Sequence, residues 1–148
     1  AAGGIADGRT LAAALVLGAD GAVVGSRLWA TRECLAAQGA KDQAVKTNGD
    51  GTARSAVFDI LRRKNWPAPY DFRAIRNDLH RQWEGRIDVL RADPASARAR
   101  YDAAVKAGDF SAAHATVGEA TGLIHDCPPA GEVLQRMARD AAARLGGL

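Results

Sequence analysis

Apolar positions recur along the chain in two different periods, and the change between them divides it. Leu11, Ala12, Leu15 and Val16 fall at helical spacing behind Asp7, a residue suited to an N-cap, with Gly18 as a C′ stop. A helix through Leu17 is expected. The uninterrupted run Ala22-Val23-Val24, closed by Gly25, predicts a buried parallel strand. Residues 1–31 therefore read as the end of a strand, a glycine turn, a helix and a second strand.

Beyond Thr31 the pattern is helical. Glu33 to Lys46 predicts a helix interrupted around Gln38-Gly39, and Asn48-Gly49-Asp50-Gly51 predicts a turn. Ala53 to Leu61 reads as a short extended or mixed segment. Asn65 to Tyr70 reads as an ordered loop, because Pro67 and Pro69 remove backbone donors and restrict their predecessors. Ile75, Leu79, Trp83, Ile87 and Leu90 predict helix over Arg73 to Ala92. Asp93-Pro94 opens another, running to Gly108 with Tyr101, Ala104 and Val105 on one side, and Pro128-Pro129 opens a last one to about Leu145. The fold class is α/β, with residues 32–148 mostly helical and no internal repeat or low-complexity linker.

Composition narrows the classes of function. With 148 residues, 47% of them hydrophobic and 25% charged, the chain sits in the ordinary globular range. The net charge of +3 is spread among alternating signs, as in Arg81, Glu84, Arg86, Asp88 and Arg91. That is a solvated helix face rather than a stripe that tracks nucleic-acid phosphates. Arg9, Asp20 and Arg27 interrupt the most apolar region, so no membrane span is expected and the cytoplasm is the expected compartment. Cys34 and Cys127 lie far apart without metal-type spacing, and read as free buried thiols. No metal site is expected.

Candidate chemistry lies in two glycine-containing strand ends, Gly3-Gly4 and Gly25-Ser26. Exposed backbone N–H groups after adjacent parallel strands, near a helix N-terminus, form a phosphate site, and glycine lets the anion approach the backbone. Ser26 offers a hydroxyl donor, and Arg27 a charge if it points inward. Taken alone, such a glycine pair is more often structural.

The surrounding run is more specific. Ala1-Ala2-Gly3-Gly4-Ile5-Ala6-Asp7-Gly8-Arg9, Leu11 to Leu15, and Gly18-Ala19-Asp20-Gly21-Ala22-Val23-Val24-Gly25-Ser26-Arg27 closely resemble the last two β/α units of nitronate monooxygenases, formerly 2-nitropropane dioxygenases. A similar pattern occurs in flavin-type enoyl-acyl-carrier-protein reductases, and a looser one in inosine-monophosphate dehydrogenases. Arg54 to Asp59, Asn65-Trp66-Pro67, Arg76-Asn77 and Gly118 to Ile124 extend the resemblance into the C-terminal extension of nitronate monooxygenases.

The resemblance implies that residues 1–31 are the end (strands 7 and 8) of an FMN-binding (β/α)₈ TIM barrel. Residues 32–148 would then be a helical extension packing on that barrel. Gly4, Gly25 and Ser26 carry over as FMN-phosphate contacts, with Gly3 and Val24 adjacent. It further implies an FMN-dependent oxidoreductase using an alkyl nitronate, such as propionate 3-nitronate, and O₂. The family's base is a barrel histidine placed before this chain begins, so the catalytic residue is unknown here. The opening Ala1-Ala2-Gly3-Gly4-Ile5 reads as a chain entered partway through a strand. Without its N-terminal barrel portion, the chain alone is expected to be inactive. The enoyl reductase and a non-catalytic helical interaction module stand as alternatives.

The other chemistry-bearing residues read as structural. His80 falls within a charged helix and reads as surface; His114 and His125 bracket Gly118 to Ile124 and read as structural or surface. Trp29 fits core packing or a flavin-pocket wall equally, whereas Trp66 and Trp83 read as residues packing against the barrel. Glu119 reads as a cap or surface ion pair, and Asp7 and Asp20 as cap and turn residues.

Overall fold

A computed structural model describes residues 1–146; Gly147 and Leu148 of the expected C-terminal extension lie outside the described residues. The first helix, α1 (Gly8–Val16), forms where its caps place it. Asp7 Oδ1 accepts from the Thr10 N–H at 2.7 Å while the Thr10 hydroxyl accepts from the Asp7 N–H at 3.1 Å, a reciprocal capping box. Leu17 is the C-cap, and Gly18 at φ 94 turns the chain out.

The buried parallel strand expected over Ala22-Val23-Val24 does not form. Ala2 and Val23 make one isolated parallel bridge, and Val23 is 72% exposed. Its neighbours Ala22 and Val24 pack instead toward Ile5, Val133 and Met137. The chain thus has a strand's alternation with one side covered, and a parallel ladder needs further strands beside it.

α2 (Ser26–Trp29) follows directly. α3 (Gln38–Lys46) begins at Gln38, so the expected helical start at Glu33 is corrected. Leu35 is fully exposed, and the Glu33 carboxylate accepts from the Ala130 N–H at 2.9 Å, a tertiary contact in place of a helical turn. Lys41 of α3 donates to the Thr31 carbonyl at 2.7 Å, tying the two halves together. Asn48 then caps a 3₁₀ turn over Gly49–Gly51.

β1 (Thr52–Ser55) and β2 (Phe72–Ile75) make an antiparallel ribbon with Thr52 opposite Ile75 and Ser55 opposite Phe72. α4 (Val57–Leu61) lies between them. The register sets Arg54 against Arg73, a like-charge pair that costs stability unless each finds another partner. Arg54 bonds Asp71 and the Pro69 carbonyl, while Arg73 reaches the Thr52 hydroxyl at 3.0 Å and Glu119 at 3.4 Å.

The single helix expected over Arg73–Ala92 is three elements: the end of β2, α5 (Asp78–Trp83) and α6 (Ile87–Ala92). Pairing with β1 overrides the helical spacing of Ile75 and Leu79, and Asn77 caps α5 by accepting from the His80 N–H at 2.9 Å. α7 (Ala95–Ala107) runs to Gly108 as expected. Val57, Phe58, Leu61, Leu79, Leu90 and Tyr101 form the core of this region, and each large apolar side chain so buried contributes roughly 1.5–3 kcal/mol.

α8 (Ala130–Leu145) returns to the beginning of the chain and packs along α1. Val133, Met137 and Ala141 are its buried face, against Ile5 and Leu11. The helices approach most closely at Gly8, where a Cβ would lie 2.3 Å from Asp140 Cβ and 2.8 Å from the Ala141 nitrogen. No described helix is long and apolar enough to cross a membrane.

Candidate functional site

The Ala2–Val23 bridge, in which the Val23 N–H donates to the Ala1 carbonyl at 2.8 Å, sets Gly3-Gly4 beside Val24-Gly25-Ser26. Gly3 and Gly4 have φ of 80° and 74°, a left-handed pair that turns successive N–H groups out of the extended direction. The parallel bridge directs the Gly3 N–H toward the Val23 carbonyl, whereas among the described residues the Gly4 and Gly25 N–H groups donate to no protein acceptor. A Cβ at any of these three glycines would meet no atom within 4 Å. Each faces open space.

Val24 contributes backbone here, since its side chain packs inward toward Ile5 and Val133. Ser26 opens α2, and its Oγ accepts from the Gly118 N–H at 2.7 Å. This contact spans 92 residues. Nothing local in sequence announces it.

Arg27 points away from the glycines. It is 2% exposed, with Nη1 donating to Asp126 Oδ1 at 2.8 Å and Nη2 to the carbonyls of Ala30 and Asp126. Arg136 of α8 donates to the same carboxylate at 2.9 Å. Arg136, and with it Arg27, holds the Asp126 carboxyl below its usual range. The cradle is therefore lined by neutral donors, while the adjacent cation is neutralised within the fold.

The histidines lie elsewhere. His80 is 1% exposed, which corrects the surface assignment; its Nε2 meets Ser55 Oγ at 2.8 Å, and Nδ1 has no partner. Leu79, His80 and Trp83 share the buried face of α5, so the helical spacing of its apolar neighbours was the available signal. His114 is half-buried against Phe58 and Phe72, and its Nδ1 meets the Tyr101 hydroxyl at 2.7 Å. Burial, helped by the Arg62 charge, pulls its pKa down to about 4, so the ring is neutral. Burial also lowers the pKa of His80 and raises that of Tyr101. His125 is exposed.

Trp29 is half-buried against the cluster that contains Ala40, Ala44 and Ile75, and its remaining face lines a cavity with Val105, Phe110 and His114. Trp83 is buried within this chain, whereas Trp66 is 57% exposed on it. Glu119 pairs with Arg73 as a surface ion pair, and Asp20 sits in an exposed bend. Cys34 and Cys127 are free and half-buried rather than buried. No group of three metal-ligating side chains occurs among the described residues.

A family model described as nitronate monooxygenase matches residues 1–140. A nitronate monooxygenase of Neurospora crassa is 32% identical over 148 residues, covering 98% of this chain and 38% of that protein. The nitronate monooxygenase npaC of Metarhizium robertsii is 36% identical, covering 98% of this chain and 41% of its own length. Among solved structures, nitroalkane oxidase from Streptomyces ansochromogenes superposes at a TM-score of 0.75 with 25% identity, over 99% of this chain and 40% of that one. FabK from Thermotoga maritima also superposes at 0.75, at 24% identity and over 44% of its length, a likeness of fold alone. The chain thus spans about two fifths of these relatives.

Proposed function

The chain belongs to the nitronate monooxygenase family, and from that premise we propose that Gly3, Gly4, Val24, Gly25 and Ser26 hold the phosphate end of FMN. The parent enzyme would oxidise alkyl nitronates, such as propionate 3-nitronate, with O₂ in the cytoplasm. Residues 1–31 then supply the last two strands of a (β/α)₈ barrel, on which residues 32–148 pack as a mostly helical extension. The observation carrying this reading is the juxtaposition of the Gly3-Gly4 turn with Gly25, where the Gly4 and Gly25 N–H groups find no protein acceptor and all three glycines face open space. Such a cradle fits an anion that needs close backbone approach and several converging donors.

When bound, FMN supplies the redox chemistry. This chain's residues bind and orient it. The glycine N–H groups and the Ser26 hydroxyl donate to phosphate oxygens, and the packing of Val24 and Ile5 behind them fixes where those donors stand. Because Asp126 neutralises Arg27, the attraction comes from oriented dipoles rather than a mobile cation. No base for the nitronate is assigned within this chain. His80 and His114 are held in packing roles and His125 stands in solvent.

The test is to titrate the full-length protein with FMN and to assay nitrite release from propionate 3-nitronate under O₂. Retention of FMN with nitrite release is expected. Flavin reduction by NAD(P)H with enoyl turnover and no nitrite release would assign the enoyl reductase activity instead. The 148-residue chain by itself is expected to show neither tight FMN binding nor turnover, because a closed barrel takes roughly 250 residues.

A further inference from the structure

The Ser26 hydroxyl is gripped from behind by a residue distant in sequence. The Gly118 N–H donates to Ser26 Oγ at 2.7 Å, and a Cβ on Gly118 would lie 3.2 Å from the same oxygen. A serine hydroxyl carries one hydrogen and two acceptor lone pairs. With one lone pair occupied by Gly118, the O–H bond is confined to directions away from that residue. A solvent-facing serine would rotate freely; this one does not.

Gly118 is itself well fixed. It caps the 3₁₀ turn Glu119–Leu123, accepting at its carbonyl from the Thr121 N–H at 3.1 Å. The fully buried Thr121 hydroxyl then donates to the Ala44 carbonyl of α3 at 2.8 Å. Eight residues past Gly118, Asp126 holds Arg27, the neighbour of Ser26. The return segment between α7 and α8 therefore fastens both residues that open α2.

We propose that the Gly118 N–H is the positioning group for the phosphate end of the site, aiming the Ser26 hydroxyl at the flavin phosphate. The return segment then sets cofactor selectivity without touching the cofactor. This inference rests on the phosphate role given above to Gly3, Gly4, Gly25 and Ser26.

The readout is the ratio of Kd values for riboflavin and FMN, measured by fluorescence on full-length apoprotein, since the two flavins differ only in the phosphate. Ser26→Ala should lose about tenfold of the preference for FMN, the scale of one hydrogen bond to a charged group. Gly118→Pro replaces the N–H, at a φ of −86°, with a ring carbon that pushes the Ser26 Oγ out of its place 2.7 Å from the nitrogen, and should lose a similar factor with riboflavin affinity unchanged. The double variant should lose no more than either single one, because both act on one contact. Ser26→Thr should retain the preference.

Should Gly118→Pro melt early, Gly118→Ala takes its place: it keeps the N–H but presses a methyl onto Oγ, and its smaller loss should vanish in a Ser26→Ala background. If Gly118 variants weaken both flavins equally, or leave intact a preference that Ser26→Ala removes, the positioning role is overturned. If the wild-type protein shows no preference for FMN over riboflavin, the phosphate reading itself fails, and this inference falls with it.

Discussion

Gly8→Ala should drive α1 and α8 apart. At Gly8 a Cβ would sit 2.3 Å from Asp140 Cβ, 2.8 Å from the Ala141 nitrogen and 2.9 Å from the Met137 carbonyl oxygen. Relaxed carbon pairs lie at about 3.5–4.0 Å, so the first contact falls more than about an ångström short. Two of the three obstructing atoms are α8 backbone, which no rotamer change removes, so the helix itself must shift. That shift lifts Val133 and Met137 from Ile5. Overpacking of this kind costs about 1–3 kcal/mol, and a rigid helix belongs at the upper end. Alanine's better helix propensity returns less than about 1 kcal/mol, leaving a net loss of about 2 kcal/mol. For a chain of this size that lowers the melting temperature by roughly 4–8 °C, read by far-UV circular dichroism. Gly131→Ala is the control, because it lies in α8 with nothing within 4 Å of its Cβ. It should be neutral or slightly stabilising. A Gly8→Ala protein as stable as wild type would refute the close crossing.

Gly25→Val should abolish tight FMN retention on gel filtration while leaving the melting temperature nearly unchanged, since the added branch meets no protein atom yet fills the approach to the N–H groups. Asp126→Ala should destabilise by about 1–3 kcal/mol in denaturant titration, because the buried Arg27 guanidinium loses a half-exposed carboxylate but keeps the backbone carbonyls of Ala30 and position 126. Arg136→Ala, on the exposed side of the same carboxylate, should cost only about 0–1 kcal/mol. Stability should be level above the ordinary histidine pKa of 6.5 and fall as pH drops from there to about 4, because the unfolded chain takes up a proton that folded His114 refuses. His80 shifts in the same direction, and His114→Gln should flatten the fall; an unchanged pH profile in that variant would locate the titration elsewhere.

Elements announced by their own ends were legible. Asp7 and Gly18 bracket α1, and Pro128-Pro129 precedes α8, because capping is a contact between near neighbours in sequence. β2 was not legible. Ile75 and Leu79 are four apart and suit a helix, and only β1, some twenty residues earlier, turns Phe72–Ile75 into a strand. The glycines of the cradle were visible as strand-end signals. Arg27's inward turn was open in the sequence, and only Asp126, brought in by the return segment, decides it. His80 was obscured by the charged residues around it, although its placement between Leu79 and Trp83 matches a buried helix face.

The return of α8 to α1 also has a consequence in time. α1 leaves the ribosome with its apolar face bare, and the helix that covers it begins only at Ala130. At roughly 5–20 residues per second, the roughly 120 residues between them take on the order of ten seconds to synthesise. During that interval Ile5, Leu11 and Val24 lack their α8 cover. Newly made chains are thus most prone to associate before their last helix emerges, and a ribosome stalled within α7 would hold them in that state.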